Sequence, residues 1–179
     1  ADEFTIMLHD IQLCKQLGCD GIVTGVLRPD GRIDQERIAR IIEEAYPMAV
    51  TFHRAFDRCI DPFAAMEQLI VAGCERILTS GQQPTALEGA SLIGKLVQAA
   101  SDRIIIMAGS GVRPGNIKSI AEETGCREFH SSLAGKRKSV MDYRNNAFSE
   151  NESYLNDDID PEMVKALRNE LALLHDDQS

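Results

Sequence analysis

Val50-Thr51-Phe52-His53-Arg54-Ala55-Phe56-Asp57 is the stretch that decides the fold. A short β-forming run ends in a histidine, an arginine and, three residues on, an aspartate. Two charged groups and an imidazole at the end of one strand are costly unless they are solvated or paired. The C-terminal ends of strands are also where α/β proteins place their chemistry. The same layout recurs at Ile77-Leu78-Thr79-Ser80-Gly81, at Ile106-Met107-Ala108-Gly109-Ser110-Gly111 and at Glu128-Phe129-His130-Ser131-Ser132.

Helical periodicity fills the gaps between these runs. Phe4, Met7, Leu8, Ile11, Cys14 and Leu17 follow helical spacing, and Gly18 stops the helix before a strand at Gly21-Ile22-Val23-Thr24. Asp34 caps a second helix that buries Ile38, Ile41, Ile42 and Ala45. Asp61-Pro62 starts a third as N-cap and first-turn proline, with Phe63, Met66, Leu69 and Ile70 inside and Gly73 at its end. The spacing predicts a fourth helix from Pro84 to about Ala100, with Leu87, Ala90, Ile93, Leu96 and Val97 inside. It predicts a fifth from Pro114 to Thr124. Strand starts near residues 21, 49, 76, 104 and 128 recur roughly every 27 residues, which reads as a parallel βα array. Gly18-Cys19-Asp20, Gly73-Cys74-Glu75 and Gly125-Cys126-Arg127 repeat the helix-to-strand junction and put three cysteines at the N-terminal ends of strands. After Ser132 the pattern breaks. A polar surface excursion is expected over about 133–160, with Lys136-Arg137-Lys138 as a solvated charge run of no assigned function, and a last helix over about 161–174.

Five βα units plus a C-terminal helix are fewer than the eight units and about 250 residues of a (β/α)₈ barrel. The chain opens inside a helix whose strand belongs upstream. The expectation is an α/β fold of TIM type over residues 1–179, a single partial barrel domain that lacks its first three units. The alternative is an open five-stranded doubly wound sheet, which lacks the N-terminal strand and Gly-rich turn of that class.

A net charge of −9 and a pI near 4.9 argue against nucleic acid or an anionic membrane as partner. No apolar run is long enough to span a bilayer. Ala1-Asp2-Glu3-Phe4 reads as neither a signal peptide nor a basic presequence. Five cysteines, an odd number with no CxxC pair, read as reduced thiols of a cytoplasmic protein. The apolar face expected on the last helix needs covering, which points to a homo-oligomer.

Gly21-Ile22-Val23-Thr24-Gly25, VTFHRAFD at Val50 to Asp57, ILTSG at Ile77 to Gly81, IMAGSGV at Ile106 to Val112, EFHSS at Glu128 to Ser132 and Met141-Asp142-Tyr143-Arg144-Asn145 together resemble the CutC family. The resemblance runs from about residue 4 to residue 145. It implies a TIM barrel, a role in copper homeostasis and copper as the bound ion. It also implies that the cysteines linked to copper in that family lie in N-terminal strands with no counterpart here.

His53 is the leading candidate for chemistry. Strand alternation puts Thr51 and His53 on one face and Val50 and Phe52 on the other. At the barrel mouth His53 could be a general base or a metal ligand, or a histidine hydrogen-bonded to neighbouring strands. Arg54 and Asp57 could bind an anion and orient His53, or form an ion pair that fixes the loop. His130 also ends a strand, and with His53 and the Cys59 thiol it could make a copper or zinc site. Gly109-Ser110-Gly111, before a helix start at Pro114, could bind an anion through backbone N–H groups, with Ser131 and Ser132 adding hydroxyl donors; the alternative is a plain linking turn. Thr24, Thr79, Ser80 and Gly81 line the same rim, to orient a substrate or to satisfy strand-end carbonyls.

Three functions stay open. One is a copper-handling protein. Another is an enzyme acting on a small anionic or phosphorylated molecule at the strand C-termini, with His53, Arg54, Asp57 and His130 as its catalytic set. The third is an inert barrel piece that self-associates.

Overall fold

A computed structural model describes residues 2–143, 145, 147 and 155–176. The first helix, α1 (Glu3–Gln16), is capped by Asp2, whose carboxylate accepts from Thr5 N. It leads to β1 (Gly21–Thr24), then α2 (Gln35–Ala45), β2 (Ala49–Phe52) and a short 3₁₀ turn at Arg54–Arg58. There follow α3 (Pro62–Ala72), β3 (Arg76–Thr79), α4 (Ala90–Ala100), β4 (Ile105–Gly109), α5 (Ile117–Thr124) and β5 (Glu128–His130). The caps are the expected ones. Asp34 accepts from Arg37 N, Asp61 accepts from Phe63 N and Ala64 N with Pro62 in the first turn, and Gly73 closes α3 in the left-handed region.

The five strands are all parallel and stand in the order β1-β2-β3-β4-β5. A doubly wound sheet must reverse its strand order at a switch point. A strictly sequential order winds one way and is the order of a TIM-type barrel, so the open-sheet alternative is set aside. Along β2, β3 and β4 the faces alternate. Val50, Phe52, Ile77, Ile106 and Ala108 join one core cluster with the buried faces of the helices, including Ile38, Ile41, Leu69, Ile93, Leu96, Ile117 and Ile120. On the opposite face, Val23 and Ile105 remain 66% and 40% exposed. On that face too, Arg76 of β3 is ion-paired to Glu128 of β5 and donates to Thr51 Oγ1 of β2 at 3.3 Å.

Three expectations are corrected. The fourth helix starts at Ala90, not Pro84, and Leu87 is exposed. Thr85 and Glu88 close a turn on themselves, with Thr85 N and Oγ1 donating to Glu88 Oε2 and Glu88 N donating to Thr85 Oγ1. Gly89 then abuts the end of β3 too closely for a regular helix to run through: a methyl there would lie 1.9 Å from Ser80 O. The fifth helix starts at Ile117, because Asn116 folds its side chain back to accept from Arg113 N and donate to Gly111 O. Within the polar excursion, β6 (Ala134–Lys138) pairs antiparallel with β7 (Leu155–Ile159), and Arg137 reaches Asp158 at 3.0 Å. The rest of that expectation falls partly on residues 144, 146 and 148–154, outside the described ones.

The last helix, α6 (Pro161–Asp176), contacts α5. Its Leu167 and Leu171 lie partly buried against the core cluster, so part of the apolar face expected on the last helix is covered within the chain.

Candidate functional site

β2 ends at Phe52 and the chain turns at once, so His53, Arg54 and Asp57 sit on the 3₁₀ turn that leaves the strand's C-terminal end. His53 N donates to Thr24 O at 2.8 Å, which ties the turn to the end of β1. Its ring caps the turn: Ala55 N donates to His53 Nδ1 at 3.1 Å. An Nδ1 that accepts carries no proton, so the neutral ring holds its proton on Nε2. His53 therefore presents a donor at Nε2, and the general-base role does not fit this tautomer. Gly25 is the seat of the ring. A methyl there would lie 2.2 Å from Cε1 and 2.4 Å from Nδ1, so only glycine lets the imidazole lie against the β1 backbone.

Asp57 is the centre of the site. Its side chain is 6% exposed and it gathers donors from two strand ends. Oδ1 accepts from Thr79 Oγ1 at 2.5 Å, from Ser80 N at 3.0 Å and from Gln82 N at 3.3 Å. Oδ2 accepts from Arg54 Nε at 2.7 Å and from Ser80 Oγ at 2.9 Å. Burial pushes this carboxyl up, but the hydrogen bonds from Thr79, Arg54 and Ser80 together outweigh it and hold it below the usual carboxylate range. Asp57 thus fixes the loop to β3 and has no bond to His53, and the expected orienting pair does not form.

Arg54 is held from two sides. Nε meets Asp57 and Nη2 donates to Ser80 Oγ at 2.7 Å, yet the side chain stays 40% exposed. A guanidinium carries five N–H donors in a rigid fork. Among the described residues only Nε and Nη2 are engaged, which leaves the remaining donors without a protein partner there.

The other rim residues serve the backbone. Thr79 Oγ1 accepts from Gly81 N at 2.9 Å, and Gly81 takes a left-handed φ of +68°. Ser110 Oγ donates to Pro84 O at 2.8 Å, and Ser110 and Gly111 are consecutive left-handed residues at φ +84° and +71°. Together with the Asn116 clamp, these bonds fix the Gly109-Ser110-Gly111 segment, and no helix begins at Pro114 to add its N-terminus. Ser131 Oγ donates to Val112 O at 2.6 Å and accepts from Leu133 N, while Ser132 Oγ accepts from Ala134 N. Thr24 is not a rim hydroxyl either. It lies buried on the Phe52 side of the sheet, and its Oγ1 has no partner among the described residues.

The proposed metal set is not brought together. No three His, Cys, Asp or Glu side chains converge as ligands among the described residues. His130 is exposed at the end of β5. Cys59 is buried, carries Gln82 Nε2 at 3.6 Å from its sulfur, and has a thiol pushed up to about 11, first by burial and then by Asp61 and Asp57. A thiol so placed is a poor source of thiolate. A cleft of about 400 Å³ opens nearby between Gly31, Ile33, Ile60, Asp61 and Gln68, but His53, Arg54, Asp57 and Ser80 do not line it.

Sequence patterning missed Gln82, whose side chain donates to Cys59 O at 2.7 Å, and the seating roles of Gly25 and Gly89. Gly25 beside the end of β1 was an available signal, but its partner His53 lies in the next βα unit.

The family model of the CutC family matches residues 1–135. The chain belongs to the CutC family. The family protein CutC of Parabacteroides distasonis is 55% identical over 143 residues, 80% of this chain and 59% of that protein. The family protein CutC of Chromobacterium violaceum is 44% identical over 94% of this chain and 70% of its own length. The chain spans about three fifths of the length of the first of these relatives. The crystal structure of a candidate copper homeostasis protein CutC from Streptococcus agalactiae superposes with a TM-score of 0.69 at 32% identity, over 73% of this chain and 65% of that one. That likeness carries the TIM-barrel-like fold.

Proposed function

We propose that this CutC-family chain supplies part of a barrel rim that holds a small anionic molecule against Arg54. One observation carries the reading. The guanidinium is oriented by buried Asp57 and by Ser80 while two fifths of its side chain faces solvent. A pre-oriented fork loses little freedom when it grips a carboxylate or phosphate. The neutral His53, with its proton on Nε2, adds a second donor at the same strand end. Two donors at this strand end favour binding over proton abstraction there, so no reaction is assigned. The test is a thermal-shift series with inorganic phosphate, sulfate and citrate at matched ionic strength. Stabilisation of the chain that is absent in Arg54→Gln supports the reading, and equal shifts in both proteins overturn it.

Copper handling is the second reading, favoured by the name carried by the Streptococcus agalactiae relative. His53, Cys59 and His130 do not fit the ion, and no step is routed through them. A reducing, cytoplasmic setting is supported by five cysteines that are all free thiols.

A further inference from the structure

The cleft of about 400 Å³ beside the rim lies between the loop that follows β1 and the start of α3. Ile60 N donates to Gly31 O at 3.0 Å and ties its two sides together. A second cleft, of about 470 Å³, shares Arg32, Ile33 and Gln68 with the first and continues past Arg28 and Glu36. Buried Ile33 and Ala65 give the joined groove an apolar base.

Several polar groups in this groove have donors or acceptors to spare. Gln68, half-buried on α3, lines both clefts, and its amide makes no hydrogen bond among the described residues. Asp61 uses Oδ1 to cap α3, accepting from Phe63 N and Ala64 N, and no cation pairs with its carboxylate among the described residues. Arg32 places Nη1 on Asp30 Oδ2 at 3.0 Å and keeps its other side-chain donors free. Arg28 makes no ion pair and no side-chain hydrogen bond among the described residues. The lining sets their order along the groove. Asp61 belongs to the first cleft alone, Gln68 and Arg32 to both, and Arg28 to the second alone.

We propose that this groove binds a small zwitterion of the dipeptide class. Its ammonium would lie at Asp61, its peptide group on the Gln68 amide and its carboxylate at Arg32 and Arg28. The chemistry is complementary at each step. A primary amide both donates and accepts, as a peptide group does. A guanidinium fork matches a carboxylate bidentately. The apolar base suits small aliphatic side chains, and a cleft of this size with few polar groups is typical of a small-molecule site. Glu36 at the Arg28 end disfavours an acidic side chain on the second residue. The groove shares no residue with the Arg54 rim, so either reading can fail alone.

The test is a titration of the isotope-labelled chain with alanylalanine, followed by nuclear magnetic resonance and repeated with the N-acetylated and the C-amidated dipeptide. Saturable shifts of the Gln68 side-chain NH₂ and of the Gly31 and Ala64 amides are expected. Either blocked dipeptide should bind at least about tenfold more weakly, because each loses a hydrogen-bonded charge. Gln68→Ala and Asp61→Asn should each weaken binding of the free dipeptide. Asn caps a helix as well as Asp, so the second change removes the charge and keeps the start of α3. The blocked dipeptides decide the matter in the unsubstituted chain even if a variant misfolds. No saturable shift, shifts that map away from Gln68, or equal binding of free and blocked dipeptides overturns the proposal.

Discussion

Thr79 Oγ1 donates to Asp57 Oδ1 at 2.5 Å, and this bond joins the turn after β2 to the end of β3. Ser80 and Gln82 add backbone donors to the same carboxylate. Asp57→Asn puts an NH₂ group where an oxygen now accepts, and leaves buried donors facing it. The expected loss is about 3 kcal/mol of unfolding free energy, the cost of breaking a buried hydrogen-bonded charge. Urea unfolding with an unchanged m-value measures it, and a midpoint equal to that of the unsubstituted chain would show that the network is dispensable.

The same carboxylate sets a pH dependence. Its folded value lies below the ordinary 3.8, so its ionised form is favoured by folding. Its contribution is present above the unfolded value and is lost as pH falls through the lower folded value. The melting temperatures of the unsubstituted chain and of Asp57→Asn should therefore differ most at neutral pH and converge below about pH 4. A gap that stays constant into acid would assign the stabilisation to another group.

Gly25→Ala tests the seat of His53. The added methyl would meet the ring at 2.2 Å, so the imidazole must leave its cap on Ala55 N. In the unsubstituted chain, nitrogen chemical shifts of the His53 ring should report a neutral imidazole protonated at Nε2. In Gly25→Ala that signature should be lost. A ring protonated at Nδ1 in the parent chain would contradict the tautomer.

Thr24 carries a buried hydroxyl with no partner among the described residues. An unsatisfied hydroxyl replaced by an isosteric methyl removes a desolvation cost, so Thr24→Val should leave the chain as stable or up to about 1 kcal/mol more stable. Destabilisation by a similar amount would mean that the hydroxyl bonds to something in solution.

Local features of the fold were legible in the sequence. Asp34, Asp61-Pro62 and Gly73 announce helix ends through bonds that span only two to four residues, and all three are found in place. The start of α4 was not legible, because Pro84 and Leu87 fit a helical template while the contact of Gly89 with Ser80 is invisible to spacing. The residue types of the site were readable at strand ends. Their pairing was not, since the donors to Asp57 at Thr79, Ser80 and Gln82 come from the next βα unit. Equally, the polar sequence of β6 and β7 reads as loop because the hairpin is largely exposed and its strands meet across a long connection.

The central claim is that Arg54 grips an anion, and calorimetric titration of inorganic phosphate into the chain tests it most directly. Saturable binding that weakens at least about tenfold in Arg54→Gln, measured below the melting transition of the variant, is the predicted result. The same dissociation constant in both proteins, or no saturable binding by the unsubstituted chain, would contradict it.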